Sequence, residues 1–129
     1  MKKRQVVITG AGASGLMAAI MAARNGAAVT VLEQNEKPGK KICATGNGRC
    51  NFSNLAKPDD AYRGEHPEFA EGALVQFSVE DTIEFFREIG IYPLNRNGYL
   101  YPRSNQAQSV VDVLCMEAAG LGVKIKTNE

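Results

Sequence analysis

The chain has 129 residues, of which 44% are hydrophobic and 22% charged, and its net charge is +1. That length supports one core and not two, and that composition belongs to a folded globular domain and not to a disordered chain. A charge this close to zero gives no electrostatic reason to expect a nucleic acid or an anionic membrane as partner.

Lys2-Lys3-Arg4 makes a short basic start, but a strand and a glycine turn follow it, not the apolar core and cleavage site of a signal peptide. The apolar run 16–23 is too short to cross a bilayer, so a cytoplasmic location is expected. Val6-Val7-Ile8-Thr9 reads as a strand, then come Gly10-Ala11-Gly12-Ala13-Ser14-Gly15 and an alanine-rich helix. A second strand, Val29-Thr30-Val31-Leu32, ends at Glu33 and Gln34. Gly10 allows a tight exit from the strand, Gly12 puts no Cβ in the way of a pyrophosphate, and Gly15 lets the helix lie close on the sheet. Ala19 and Gly26 sit where helix and strand must approach closely. Unpaired N–H groups and the positive end of the helix dipole favour an anion at this turn.

Glu33 follows Gly15 by 18 positions, near the offset of about 20 at which a carboxylate accepts from an adenosine ribose. The unit therefore predicts a dinucleotide-binding βαβ fold. A carboxylate there repels a 2′-phosphate, so FAD or NAD suits the site and NADP does not. Glu33 alone does not separate FAD from NAD.

Residues 37–51 carry three glycines, a proline and several basic side chains with little apolar periodicity, and they read as a loop wrapping something polar. Gly46 and Gly48 flank Asn47, a pattern that lets N–H groups converge on an anion, and Arg49 adds a cation for phosphate or flavin oxygens. A compact NAD-binding unit would run into a helix here instead.

Gly39-Lys40-Lys41, with Ala44-Thr45-Gly46-Asn47-Gly48-Arg49-Cys50-Asn51, resembles the signature of the BaiN-like flavoproteins, the aminoacetone oxidase family of NAD(P)/FAD-dependent oxidoreductases. Gly98-Tyr99-Leu100-Tyr101-Pro102-Arg103-Ser104 resembles the next block of that family, so the likeness covers nearly the whole chain. The resemblance implies a Rossmann-like α/β domain of the glutathione-reductase type, with FAD as cofactor. It implies flavin contacts for Lys41, Thr45, Gly46, Asn47, Gly48, Arg49, Cys50 and Asn51, beside the cofactor contacts expected of Gly10, Gly12, Ala13, Ser14, Gly15, Glu33, Gln34 and Lys40. Family members run to several hundred residues. Residues 1–129 are therefore expected to be the N-terminal portion of the FAD-binding domain, lacking the substrate domain and the C-terminal return.

Cys43, Cys50 and Cys115 show no metal-ligand spacing, and His66 has no second histidine to complete a zinc set. They read as reduced thiols, with Cys50 packing the loop and Cys115 on an apolar helix stripe. Residues 55–65, with Pro58 and Gly64, are expected to form a surface connection. Residues 67–77 predict a helix with Pro67 in its first turn and Phe69, Ala73, Leu74 and Phe77 on one face. Ser78 and Asp81 resemble a cap for a second helix, with Val79, Ile83, Phe86 and Ile89 inward and Gly90 as its stop. Both stripes are expected to be core. Asn97-Gly98 marks a tight turn joining residues 91–94 to 99–101 as a hairpin. Residues 107–119 predict a helix on Val110, Val113, Leu114 and Met116, closed by Gly120 and Gly122. Val123-Lys124-Ile125-Lys126 alternates as a strand, which in the family reading returns beside the second strand.

A flavin carries its own redox chemistry, so no catalytic residue is assigned from the sequence. The resemblance implies two-electron oxidation or reduction of a small molecule, with NAD(P)H as a candidate redox partner. Two other readings stay open: the nucleotide-binding domain of an NAD-dependent dehydrogenase, and a non-catalytic fragment that folds only with a partner chain.

Overall fold

β-branched runs separated by an alanine-rich stretch sort into strands around a helix, because branched side chains fit a pleated surface and alanine fits a helix packed close on it. The computed structural model describes residues 1–55 and 61–129. β1 (Gln5–Thr9) leads through the glycine turn into α1 (Ala13–Arg24) and β2 (Ala28–Glu33), and β6 (Lys124–Thr127) closes a parallel sheet in the order β1-β2-β6. Gln5 aligns with Ala28 and Thr9 with Leu32, while Thr30 aligns with Lys124 and Glu33 with Thr127. The final strand thus lies beside the second, as expected. The fold is a Rossmann-like α/β arrangement.

Leu16, Ala19 and Ile20 of α1 are fully buried, with Val29 and Val31 of β2 in the same core. α5 (Ala107–Gly120) packs on α1 and buries Val110, Val111, Leu114 and Ala118 in the same core. Arg24 fastens the periphery: its guanidinium donates to Glu117 at 2.8 Å, lies 3.7 Å from Glu88, and sits over the Phe85 ring at 5.3 Å. One side chain from α1 therefore reaches both α5 and α4 (Val79–Glu88).

A second sheet has the order β3-β5-β4, from β3 (Ser53–Asn54), β4 (Pro93–Arg96) and β5 (Tyr99–Pro102). The hairpin forms at Asn97 and Gly98, both at positive φ, and the Asn95 side chain accepts from the Gly98 N–H. α4 begins with a capping box: Asp81 N–H donates to Ser78 Oγ, and Ser78 N–H to Asp81 Oδ2.

Several expectations need correction. Residues 37–51 are not wholly loop: α2 (Lys40–Ala44) and a 3-10 turn (Thr45–Gly48) interrupt them, because Ile42 finds a place in the core. α3 (Phe69–Gln76) starts two residues later than expected and buries none of its residues; Phe69 is 87% and Val75 84% exposed. Of its expected stripe, Phe69, Ala73 and Phe77 are exposed and Leu74 is half-buried. On α4 the buried pair is Phe85 and Phe86, with Val79, Ile83 and Ile89 only half-buried. On α5, Val111 takes the core place expected of Met116, which is exposed. Gly26 serves its positive φ and not a close approach, since a Cβ there would meet nothing. The connection 55–65 lies partly outside the described residues; Leu55 and residues 61–65 are exposed.

Candidate functional site

The site starts from the way β1 ends. Gly10 adopts φ +91, a conformation that Cβ-bearing residues rarely take, and its N–H donates to the Leu32 carbonyl at 2.6 Å. That bond draws the glycine turn toward the end of β2. A Cβ on Gly15 would fall on the Gly10 carbonyl, so this glycine lets the helix start pass under the turn itself. Gly12, at the N-cap of α1, is different: no side chain caps the helix start, and a Cβ there would meet no atom within 4 Å. The first-turn N–H groups of a helix lack intrahelical partners, so Gly12, Ala13 and Ser14 present an open, electropositive edge.

Glu33 faces the same turn from the end of β2. Its carboxylate is buried, at 6% exposure, and takes three hydrogen bonds: Ala11 N–H on Oε2 at 2.7 Å, and Asn35 N–H and Nδ2 on Oε1 at 2.8 and 2.9 Å. Donation from the Asn35 and then the Ala11 backbone holds its pKa below the ordinary carboxylate value, outweighing desolvation. Any stability this group contributes is complete above the ordinary carboxylate range and is lost as pH falls through its lowered native value.

A groove of about 800 Å³ runs between these elements. Thr9 to Gly12 form one wall, Leu32 to Asn35 another, and Gly39, Lys40, Lys41 and Ala44 a third, with Glu129 at one end. Gly39 fixes the third wall: its N–H donates to the Ala11 carbonyl at 2.8 Å, and at φ +73 a Cβ would press on Val111. Of the residues singled out from sequence, Gly10, Gly12, Glu33, Gln34, Lys40 and Lys41 meet in this groove. Ala13 and Ser14 stand exposed at the adjoining helix start, and Gly15 is buried beneath it.

Residues 45–51 lie beyond the groove wall and close on themselves. Gly46, Asn47, Gly48 and Cys50 all have positive φ. The Thr45 hydroxyl donates to the Ile42 carbonyl at 2.7 Å, Cys50 N–H to the Thr45 carbonyl at 3.1 Å, and the Asn51 amide to Ser53 and Leu100. Arg49 is exposed. Cys50 is buried in the core and burial pushes its thiol pKa up, which suits packing better than nucleophilic chemistry. Cys43 is half-buried, its thiol against Gln108 at 3.3 Å. Sequence reasoning missed Asn35 and Gly39 as site residues. Asn35 gives no signal by type alone, whereas Gly39 opens a motif already noted.

The profile of the HI0933-like protein Rossmann domain matches residues 4–129. Over 125 residues the chain is 52% identical to the 3-dehydro-bile acid delta(4,6)-reductase of Clostridium scindens, covering 95% of this chain and 31% of that protein. It is 36% identical over 118 residues to the ribosomal RNA dihydrouridine synthase of Escherichia coli, covering 91% of this chain and 29% of that one. Among solved structures, THI4 of Thermovibrio ammonificans superposes with a TM-score of 0.64 at 17% identity, over 97% of this chain and 38% of that one, a likeness of fold. The chain thus spans about a third of the length of the curated relatives it matches.

Proposed function

The chain belongs to the HI0933-like Rossmann-domain family, and from that premise we propose that it forms the FAD-binding portion of a flavin-dependent oxidoreductase. The observation that carries this reading is the meeting, in one groove, of an uncapped helix start, a carboxylate and two lysines. Gly12 leaves room for a pyrophosphate, and the first-turn N–H groups would hold it. Lys40 and Lys41 add cationic side chains along the same wall. Glu33 would accept from the adenosine ribose, through Oε2, which takes only Ala11 N–H as a well-formed donor. Residues 45–51 would lie along the flavin end, where the left-handed backbone at 46–48 can turn N–H groups outward.

The substrate class follows from chemistry that the two curated relatives' names share. A delta(4,6)-reductase and a dihydrouridine synthase each reduce a carbon–carbon double bond conjugated to a carbonyl. We assign this chain to the same reaction class, with a small carbonyl-conjugated alkene as substrate and NAD(P)H as electron donor. A bound flavin supplies the two electrons for such a step. The substrate-contacting residues would belong to the two-thirds of the relatives' length that this chain does not span. A cytoplasmic setting suits NAD(P)H, and among the described residues no helix is long and apolar enough to cross a membrane. The 36% likeness to a ribosomal RNA enzyme supports a second reading, in which the alkene is a uracil base in RNA. The net charge of +1 favours the small molecule.

The test is an absorption spectrum of the purified chain after incubation with FAD and desalting. Retained flavin bands are expected. A folded chain that retains NAD and no flavin would instead support the dehydrogenase reading. In a protein that spans the relatives' full length, with its flavin reduced, a 3-keto-4,6-diene steroid is expected to reoxidise it faster than a uridine-containing RNA; the reverse order would favour the RNA reading.

A further inference from the structure

Asn35 lines the dinucleotide groove and commits two donors to one carboxylate oxygen of Glu33. A carboxylate only accepts, so the amide nitrogen is the end that faces it. Asn35 N–H and Nδ2 occupy Oε1 at 2.8 and 2.9 Å, while Ala11 N–H takes Oε2 at 2.7 Å. Each oxygen has about two lone-pair sites, so the two Asn35 donors fill Oε1, while Oε2 has one well-formed donor in Ala11 N–H and the Gln34 backbone contributes more weakly. Asn35 is itself anchored, its carbonyl accepting from Asn128 N–H at 3.1 Å just after β6.

We infer that Asn35 is a positioning residue that fixes the plane of the Glu33 carboxylate and leaves one oxygen, Oε2, as the acceptor for a ribose hydroxyl. The inference rests on the proposed adenosine-ribose role of Glu33 and adds a specificity determinant to it. Without the Asn35 amide, Oε1 keeps the Asn35 N–H and Oε2 the Ala11 N–H, but Oε1 gains an unfilled lone-pair site and the carboxylate plane is held by one donor fewer. A ribose hydroxyl then meets two competing acceptor positions in a less fixed plane, and the benefit of that hydroxyl shrinks.

The readout is therefore a ratio: the affinity for FAD over that for FAD carrying 2′- or 3′-deoxyadenosine, measured by fluorescence quenching with the unmodified chain, Asn35→Ala, Asn35→Ser and Glu33→Gln. For the unmodified chain, loss of one of the two hydroxyls should weaken binding by about 10-fold, the scale of a hydrogen bond to a charged group, and loss of the other should change it little. In both Asn35 variants the larger ratio should fall to about 3-fold or below, even where both affinities drop. A purely structural role would lower both affinities and leave the ratio intact, which would overturn the inference. Asn35→Ser keeps the backbone donor and a small polar side chain, and so serves if Asn35→Ala does not fold. Glu33→Gln separates the two layers. If it leaves the deoxy ratio and the FAD affinity unchanged, the ribose reading itself fails; if it abolishes the ratio while both Asn35 variants keep it, only the Asn35 inference fails.

Discussion

The turn at residues 10–15 and the segment at 45–51 are both rich in glycine, yet Gly12 in the first and Gly46 in the second use it in opposite ways. In the first, Gly12 has an ordinary extended backbone, with φ −85 and ψ −168, and nothing within 4 Å of where a Cβ would stand. In the second, Gly46 has φ +54, and a Cβ would lie 2.6 Å from Asn51 N and 3.2 Å from the Tyr101 ring. Gly46 is therefore glycine for the sake of the chain, while nothing in the chain requires glycine at Gly12, which accords with the pyrophosphate site proposed there. Composition does not reveal that difference; the surroundings of the missing Cβ do.

Substitutions can break this contrast. The largest effect is expected at Gly15, where a Cβ would sit on the Gly10 carbonyl: Gly15→Ala should cost about 3 kcal/mol or more by overpacking. Thermal melting should then begin well below that of the unmodified chain, and an unchanged midpoint would show that the turn yields easily. Next comes Gly46→Ala, which forces a side chain into a left-handed conformation against the Asn51 backbone and should cost about 2 kcal/mol with no ligand present. If urea unfolding leaves Gly46→Ala as stable as the parent, the self-closed view of 45–51 is wrong. Arg24→Ala should cost about 1 kcal/mol by releasing Glu117 and the Phe85 face, and raising the salt concentration should narrow the gap. Ser78→Ala provides a control that lies outside the groove lined by Gly10 and Gly12. Loss of the capping box should cost about 1 kcal/mol and leave flavin affinity alone; a matching loss of affinity would show that α4 and the groove are coupled.

What was legible in the sequence was local. The turn at Gly10, the Ser78–Asp81 cap and the Asn97-Gly98 hairpin each announce themselves within a few residues, because backbone conformation and nearby donors decide them. Alternation marked residues 123–126 as a strand and the family resemblance set it beside the second strand, whereas its register with β2 came only with the structure. Asn35 was not, because its importance comes from facing Glu33 two residues earlier and Asn128 from another strand's end. The helix at Lys40–Ala44 was hidden by glycine and lysine content, since Ile42 alone carries its apolar signal. The exposed Phe69 and Phe77 mark the converse failure: an apolar stripe predicts a buried face only where another element arrives to cover it.

Gly12→Ser tests the central claim most directly. Serine is a favoured N-cap residue and fits the observed backbone, so the variant should melt at the parent's temperature or slightly above it. Its hydroxyl would at the same time take the helix-start N–H groups and the space proposed for a pyrophosphate, weakening FAD binding by on the order of 10-fold or more. A stable Gly12→Ser chain with weakened FAD binding is the predicted result. A stable variant that binds FAD as tightly as the parent would contradict the account, because the open space at Gly12 would then hold nothing.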